Sequence, residues 1–362
     1  MRVAVVGASG YVGSRLVPEL LRRGHEVVAT HHRSPATAYP WSGDVEWRRV
    51  DVQDEQRVLA ALEGVDAVCY LVHGLDDDDF MRLDRQAADN VAYAAGVAGA
   101  SRLVYFSGIV PDLPDGELSD HLLSRLEVEE VLATADCSVL TLRASMVIGA
   151  GSTSFEVMRQ MSHRLGLVQT VPAWMGGSVI QPVAVADAVW FLAEALERPD
   201  VTGHLDVVGP DRLSYVELLR TYAARARLLR LQLPVWLAPV GAVARVAGAL
   251  VDVPSGTVHS LIPSLGHDMV GRLDAADVLG EPPGGRLGVA DAVARSLVTV
   301  RAGDGAPDGA SVDGDPQAPS VGDPRWARHR SVLSWAGSRA WSAAQAAGQA
   351  AVQAAVRSAA RG

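Results

Sequence analysis

The sequence predicts an α/β fold in which helices cover both faces of a mainly parallel, doubly wound sheet. The first 150 residues alternate short runs of β-branched residues with amphipathic stretches of helical period, the pattern of repeated strand–helix–strand units. A glycine-spaced turn also separates the first apolar run from the first helical stretch. The chain has 362 residues, of which 49% are hydrophobic and 20% charged, so it is long enough for a sizeable core and a smaller second lobe.

The elements of this core are predicted from the period of their apolar residues and from the residues that end them. Helix Tyr11–Arg23 ends before Gly24, which suits the left-handed position that commonly follows a helix. Two later amphipathic stretches, Gln86–Ala98 and Ser119–Leu132, predict helices between strands. The predicted strands are Arg2–Val6, Glu26–Thr30, Val45–Val50, Ala67–Val72, Arg102–Phe106, Ser138–Arg143 and Leu205–Val208.

Composition divides the chain into four regions. Residues 1–150 form the sheet core, and residues 151–300 form a smaller substrate lobe of loops and helices that completes the fold with a late strand. Residues 301–324 are rich in Gly, Pro, Asp and Ser, which predicts a disordered linker. Residues 325–362 are rich in alanine and arginine and predict a helical tail.

Two segments leave alternatives open. Leu233–Ala244 is the most apolar stretch, but it is too short for a bilayer span and contains Pro239. It predicts a buried helix or capping segment, with an interfacial membrane contact as the alternative. The tail at 325–362 has six arginines, three tryptophans and no acidic residue. It predicts either a weakly ordered helix or a basic helix that rests on an anionic membrane.

Charge, cysteine content and the amino terminus bound the partners and the compartment. The net charge of −10 argues against nucleic acid as the main partner, because phosphate binding needs a basic surface. Two cysteines are too few for a disulfide framework, so Cys69 and Cys137 are interpreted as buried residues in a reducing compartment. Met1 leads straight into a strand, without the pattern of a secretion signal. A cytoplasmic protein is expected, with weak contact between the tail and the inner face of the membrane as the open alternative.

The glycine-spaced turn reads Gly7-Ala8-Ser9-Gly10-Tyr11-Val12-Gly13 and lies between a strand and a helix. Gly7 allows the tight turn, Gly10 lets the backbone approach a diphosphate, and Gly13 lets the helix pack close to the sheet. The N-terminus of the following helix presents N–H groups and a partial positive charge to the phosphates. The context predicts a Rossmann-type dinucleotide site formed by Gly7, Ser9, Gly10, Tyr11, Val12 and Gly13.

The end of the second strand indicates which dinucleotide is bound. NAD-binding sites usually place an acidic residue there to hold the ribose 2′-hydroxyl. Here the sequence continues through Arg33 and Ser34, without an acidic residue before Asp44. Arg33 and Ser34 suit a 2′-phosphate, so NADP(H) is preferred and NAD(H) stays open; a solvated surface arginine is the alternative role of Arg33. The adenine is expected near Asp51 and Val52, after the third strand.

Several segments resemble the extended and atypical short-chain dehydrogenase/reductases. The family spacing GxxGxxG matches the turn described above. The resemblance covers residues 1–300 and points to an atypical subgroup of NAD(P)-binding or epimerase-like proteins, which is similar to NmrA-type regulators and to the 39 kDa accessory subunit of respiratory complex I. The segments that carry it are Cys69–Gly74, similar to the subgroup's YLVHS, Leu103–Gly108, Leu140–Ser145, and Gln181–Asp187, similar to its QPIxVxD.

The resemblance implies further cofactor contacts at the ends of two strands. In the family, the segment after the sixth strand lines the nicotinamide end of the cofactor. His73 follows an apolar strand and faces either the cofactor or only its own neighbours. The implied contacts are Leu71, Val72 and His73 after the fourth strand, and Arg143, Ala144 and Ser145 after the sixth.

The usual catalytic pair of the wider family is absent. Ordinary members use a tyrosine and a lysine four residues later, and this chain contains no lysine at all. The matching helix carries His121 and Arg125 at the same spacing, which places both on one helix face. A histidine with the ordinary pKa of about 6.5 can act as an acid or a base near neutrality. His121 is therefore the candidate proton donor, with Arg125 and Ser107 stabilising the oxyanion. The alternative is that His121 and Arg125 only hold the ribose or stabilise the fold.

These residues favour an NADPH-dependent reductase of a small carbonyl or quinone-like substrate. A non-catalytic NADP(H) sensor, or an accessory or assembly protein of a respiratory complex, is the alternative, and a sugar-nucleotide epimerase is third. No metal site is predicted, because Asp76–Asp79 lacks the spaced ligands and the glycine of a calcium loop. The substrate is an unknown small molecule, since residues 153–280 carry no recognisable pocket motif.

Overall fold

A seven-stranded sheet forms the centre of the computed structural model. The structure describes residues 1–32, 39–74, 79–111, 118–236, 238–298 and 314–327. The strands of the sheet are β1 (Arg2–Val6), β2 (Glu26–His31), β3 (Glu46–Arg49), β4 (Ala67–Tyr70), β5 (Arg102–Gly108), β6 (Ser138–Ala144) and β11 (Gly203–Val207). They follow the order β11-β6-β5-β4-β1-β2-β3 across the sheet, and all neighbours run parallel.

Two apolar cores cover the two faces of this sheet, so the predicted doubly wound α/β fold is confirmed. Successive side chains of a strand point to opposite faces, and accordingly Val5 of β1 belongs to one core and Val6 to the other. The strands read as near-continuous apolar runs because both of their faces are covered. Cys69 in β4 is buried, as expected, whereas Cys137 is only half-buried before β6.

Helices connect the strands and cover the sheet. The first core includes apolar residues of α1 and α6, and the second includes those of α2, α3 and α4, where the helices are α1 (Gly13–Arg22), α2 (Glu55–Leu62), α3 (Phe80–Val97), α4 (Asp120–Leu132), α5 (Thr153–Arg164), α6 (Val185–Glu197), α7 (Tyr215–Arg225), α8 (Val240–Leu250), α9 (Ser255–Leu261), α10 (Ala275–Leu279) and α11 (Val289–Ser296). Gly24 follows α1 with a φ of 81°, the left-handed position that its residue type predicts. Ser119 caps α4 by accepting a hydrogen bond from the backbone N–H of Leu122.

The smaller lobe contains short strands that the sequence analysis does not predict. They form three two-stranded sheets, in which β7 pairs with β10, β9 with β12 and β8 with β13. Four of these strands have only two residues, a run too short to show a period of two, so the sequence pattern predicts loops there. The bounds are β7 (Val147–Ile148), β8 (Val168–Pro172), β9 (Val179–Ile180), β10 (Val183–Ala184), β12 (Leu213–Ser214) and β13 (Leu231–Val235).

The apolar stretch Leu233–Ala244 does not form a single buried helix. It runs from the end of β13 into the first turns of α8, and Ala244 is its buried residue on that helix. Leu233 and Trp236 are 44% and 82% exposed. Among the residues that the structure describes, no helix combines the length and the apolar character needed to cross a bilayer.

Residues 314–327, which we name the C-terminal strap, pack against the rest of the chain. Most of the strap falls in the predicted disordered linker, yet the buried Gln317 donates to the carbonyl of Ile148 at 2.7 Å and accepts from the backbone N–H of Ala186 at 3.2 Å. Met1–Ala327 accordingly forms one compact unit. The predicted tail beyond Ala327 lies outside the described residues.

Candidate functional site

A cavity of about 760 Å³ opens at the carboxyl ends of the central strands. It is lined by Gly7 after β1, His31 at the end of β2, Leu71 after β4, Ser107 near the end of β5 and Ala144 at the end of β6. The strand order reverses direction at β1, which pairs with both β2 and β4. Ligands of open α/β sheets bind at such a switch point, and the volume lies within the usual range for ligand pockets.

The glycine turn forms the floor of this cavity, and the positions of its glycines explain their spacing. Gly7 adopts a φ of 99°, and its carbonyl accepts a hydrogen bond from the N–H of Gly10 at 2.9 Å. A Cβ atom on Gly13 would lie 2.3 Å from the carbonyl oxygen of Gly7, so only glycine fits there. The side chain of Thr30 in β2 accepts from the N–H of Gly7 at 3.1 Å and ties the turn to the sheet.

Helix α1 begins at Gly13 and directs its N-terminus toward the turn. No acidic side chain lies in its first turn, so the partial positive charge of the helix end is left for a ligand. The predicted loop contacts Gly7, Ser9, Gly10, Tyr11, Val12 and Gly13 all line the cavity.

The segment after β4 forms one wall, where Leu71, Val72 and His73 line the cavity as the resemblance implies. Its position is fixed by Asp84 of α3, which the sequence analysis missed. The buried Asp84 carboxylate accepts from the N–H of Gly74 at 2.7 Å and from the hydroxyl of Ser124 at 3.1 Å. Asp84 therefore joins the end of this wall to helix α4. Burial raises the pKa of Asp84, and the two hydrogen bonds act in the opposite direction.

Helix α4 brings the two candidate catalytic residues to the cavity. His121 and Arg125 line it together with Ser107 and His73. Arg125 donates from Nη1 to the hydroxyl of Tyr105 at 3.4 Å. Among the described residues, the Arg125 Nε and the Ser107 Oγ are buried without a hydrogen-bond partner. Unsatisfied polar atoms of this kind are costly, so a ligand oxygen in the cavity would be stabilised by them.

The charge of Arg125 and desolvation in the site lower the pKa of both histidines. Burial and then Arg125 lower the pKa of His121 to about 4. The pKa of His73 is also lowered, mainly by the charge of Arg125, then by desolvation and by His121. The ordinary pKa of about 6.5 therefore does not hold for His121 in this site, because burial and then the charge of Arg125 favour the neutral ring.

The cofactor residues predicted after the sixth strand separate into two groups. Ala144 and Ser145 line the cavity, but Arg143 does not. Arg143 binds Glu129 of α4 instead, through Nε at 2.9 Å and Nη2 at 2.7 Å. Alternation along β6 places the side chains of Arg143 and Ala144 on opposite faces of the sheet, and Ser145 follows the end of the strand.

Only one of the predicted adenine and 2′-phosphate contacts lines the cavity within the part of the chain that the structure describes. Val52 lines the cavity, while the Asp51 carboxylate lies outside the lining and accepts from the N–H of Gln53 at 3.1 Å. Arg33 and Ser34 lie outside the described residues.

Several lining residues come from parts of the chain that the sequence analysis does not assign to the site. They belong to α5, to α9 and to the C-terminal strap, and no motif marks them: Thr153, Ser154, Thr257, Leu261 and Pro324. Within the described ranges, no group of three or more His, Cys, Asp or Glu side chains could hold a metal ion.

Comparison with known proteins finds one matching family model and several partial relatives. Residues 7–163 match the family model described as NAD(P)H-binding. An uncharacterized protein of Mycobacterium tuberculosis is 27% identical over 216 residues, which are 59% of this chain and 22% of that protein. A 2-alkyl-3-oxoalkanoate reductase of Stenotrophomonas maltophilia is 30% identical over 177 residues, which are 42% of this chain and 52% of the relative. The chloroplastic divinyl chlorophyllide a 8-vinyl-reductase of Zea mays is 33% identical over 229 residues, which are 58% of this chain and 55% of the relative. The chain thus spans between about a fifth and about half of these relatives' lengths.

Solved structures share the fold at low identity. A Citrobacter triphenylmethane reductase superposes with a TM-score of 0.63 and 17% identity, covering 82% of this chain and 99% of that one. MoeE5 in complex with UDP-glucose and NAD superposes with a TM-score of 0.61 and 21% identity, covering 82% of this chain and 97% of that one. These likenesses extend the shared fold beyond the sheet into the smaller lobe.

Proposed function

We propose that this chain is an NADPH-dependent reductase of a small carbonyl or quinone-like substrate. The premise is its NAD(P)H-binding domain over residues 7–163, which has the fold of reductases and epimerases of the short-chain dehydrogenase/reductase type. The observation that carries the proposal is the group formed by Ser107, His121 and Arg125 at the cavity wall. Two relatives that match parts of the chain are named as reductases, which supports the same class of reaction.

The cavity offers suitable groups for each part of a dinucleotide. The turn from Gly7 to Gly13 and the N-terminus of α1 would hold the diphosphate, and Val52 would contact the adenine. Leu71–His73 and Ala144–Ser145 would hold the nicotinamide half. The preference for NADPH rests on Arg33, which suits a 2′-phosphate. When bound, the cofactor supplies a hydride.

The side chains of the site would then manage charge and protons at the substrate oxygen. That oxygen gains negative charge as the carbonyl carbon is reduced. Arg125 is permanently charged and would stabilise this oxyanion, assisted by a hydrogen bond from the Ser107 hydroxyl. His121 is neutral at pH 7, given its lowered pKa of about 4, so its ring N–H would donate a hydrogen bond to the oxygen. As that proton passes to the oxygen, the other ring nitrogen takes up a proton from water, which leaves His121 neutral again and releases hydroxide to the solvent.

A non-catalytic NADP(H) sensor or accessory protein is the second candidate. The chain has no lysine, so the tyrosine–lysine pair of ordinary family members is absent. In this alternative Arg125 and His121 would only hold the ribose.

The decisive experiment measures binding and turnover separately. Fluorescence titration of NADPH and NADH should show tighter binding of NADPH, and NADPH should then be oxidised in the presence of small ketones or quinones. Arg125→Gln and His121→Asn should each lower kcat by about tenfold to a thousandfold. His267→Asn, which changes a histidine that does not line the cavity, should leave kcat unchanged. NADPH binding without oxidation by any compound of the screen would favour the sensor instead.

A further inference from the structure

A second cavity, of about 170 Å³, lies in the smaller lobe. We name it the apolar chamber; it is lined by residues of α5, α7, α8 and α9 and of β8. Ser154, Gln169, Thr170 and Tyr215 are among them, but the surface that faces the space is almost wholly carbon and sulfur. No charged side chain among the described residues lines it. Four of the lining residues are methionines, at positions 146, 158, 161 and 175.

The apolar chamber adjoins the cavity described above. Ser154 of α5 and Leu261 of α9 line both spaces. Met146 of the chamber directly follows Ser145, which lines the larger cavity. The sheet order places β6, which leads into this junction, on the opposite side of β1 from β2 and β3. The chamber therefore meets the nicotinamide end of the site, where a substrate would react, and not the adenine end.

We propose that the apolar chamber binds an apolar group of the substrate, so that the reducible carbonyl carries a hydrocarbon part of about six carbon atoms. This inference rests on the proposed reductase function. The size follows from the volume: an apolar cavity of about 150 Å³ accepts a benzene-sized ligand, and the chamber is slightly larger. Methionine side chains are flexible and polarizable, so they fit groups of different shape.

The lining also excludes other substrate classes from this space. A sugar or a diphosphate needs hydrogen-bond donors or cations, and burying it among apolar side chains would leave its polar groups unsatisfied. An alkyl chain and a ring would both bind through the same burial of apolar surface, so the test compares the two.

The test uses methyl n-alkyl ketones, from methyl ethyl ketone to methyl decyl ketone. A ketone whose chain ends in a phenyl group tests whether a ring binds better than a chain. Calorimetric binding to the full chain saturated with NADP⁺ gives a readout independent of turnover, and NADPH oxidation is followed in parallel. Affinity should rise about fourfold for each added methylene until the tail reaches about six carbons, and then level off. Tighter binding of the phenyl ketone than of methyl hexyl ketone would identify a ring as the preferred group.

Two variants locate the effect. Ala247→Leu adds apolar volume inside the chamber. It should lower the affinity for methyl hexyl ketone at least tenfold and leave the affinity for methyl ethyl ketone unchanged. Ala249→Leu makes the same change at an exposed position of the same helix and should alter neither of these two affinities. Leu218→Ala enlarges the chamber and should move the plateau to longer tails, which provides a second reading if Ala247→Leu fails to fold.

The outcomes separate the chamber from the reductase. Equal affinity for all tails, or a gain that survives Ala247→Leu, would overturn the chamber assignment while ketone reduction still supported the proposed function. Affinity that depends on tail length, without NADPH oxidation, would contradict the proposed reductase function and leave the chamber as a binding site.

Discussion

The guanidinium of Arg15 lies 2.9 Å from the carboxylate of Asp323, and both side chains are almost completely buried. Arg15 belongs to α1, the helix that follows the glycine turn, and Asp323 belongs to the C-terminal strap. Arg15 also donates to strap carbonyls, at 2.8 Å to Pro316 and at 3.3 Å to Ala318. Since Pro324 lines the larger cavity, this contact holds together two parts of the candidate site that lie at opposite ends of the chain.

Asp323→Ala should lower the free energy of unfolding by about 2–4 kcal/mol, because it leaves the Arg15 charge buried without its counterion. Asp323→Asn keeps acceptor oxygen and should cost less. Urea denaturation measures both values. The control is Asp200→Ala, which removes a solvent-exposed ion pair with Arg198 and should therefore lower the free energy of unfolding far less. Equal losses for Asp323→Ala and Asp200→Ala would mean that the buried ion pair of the strap stabilises the fold no more than an exposed ion pair does.

Gly13→Ala should weaken NADPH binding at least tenfold, because the added Cβ would displace the carbonyl of Gly7 from the turn. Overpacking of this kind should also destabilise the fold by roughly 1–3 kcal/mol. Fluorescence titration and thermal unfolding give the two readings. Gly43→Ala adds the same methyl group where no atom lies within 4 Å, so both properties should stay as in the wild type. Wild-type affinity in Gly13→Ala would show that the turn does not hold the phosphates.

Arg143→Met should leave the Kd for NADPH unchanged and lower stability, because Arg143 binds Glu129 and does not line the cavity. Both side chains are largely buried, so the expected loss is roughly 1–3 kcal/mol. Arg125→Met should do the reverse: it weakens ligand binding or turnover more than it destabilises the fold. A tenfold weaker Kd in Arg143→Met would restore the cofactor role that the resemblance implies.

Arg33→Gln should lower the affinity for NADPH by roughly tenfold to a hundredfold without changing that for NADH, since it removes a charge-assisted contact to the 2′-phosphate. Its neighbours His31 and His32 line the cavity, which supports the position of this end of the cofactor. Parallel titrations with both cofactors give the ratio of affinities. Arg57→Gln, an exposed arginine of α2, serves as the matched control. Equal weakening of NADPH and NADH would mean that Arg33 does not select the cofactor.

How far the sequence predicts this architecture depends on the range of the interactions involved. The seven strands and the turn from Gly7 to Gly13 are local patterns, and runs of β-branched residues or fixed glycine spacings carry them directly. Asp84 has no such signal, because a carboxylate on a helix usually faces water. Its role arises only when Gly74 and Ser124 arrive from elsewhere in the chain.

The C-terminal strap illustrates the same limit at greater distance. Its Gly, Pro, Asp and Ser content is typical of disorder, since such a segment buries little apolar surface of its own. Polar contacts compensate, because Gln317 and Asp323 satisfy buried groups of α1, α6 and β7 that are far away in the sequence. The direction of Arg143 likewise depends on the partner Glu129, which no strand pattern reveals.

The acid sensitivity of the unliganded protein tests the environment of His121. The folded protein holds the pKa of His121 at about 4, whereas the unfolded chain has the ordinary value of 6.5. Between these values the unfolded state binds more protons, so the stability of the wild type is fully present above about pH 6.5 and is lost as the pH falls toward about 4. Arg125 on the same helix and His73 after β4 lie near position 121, and both are present in the wild type and in His121→Gln. Relative to His121→Gln, the wild type should therefore lose roughly 1–3 kcal/mol of unfolding free energy across this window, after allowance for partial exposure. Urea denaturation at half-unit pH steps measures the difference, and a difference that stays constant from pH 7 to pH 4.5 would show that His121 is solvated and not held neutral beside Arg125.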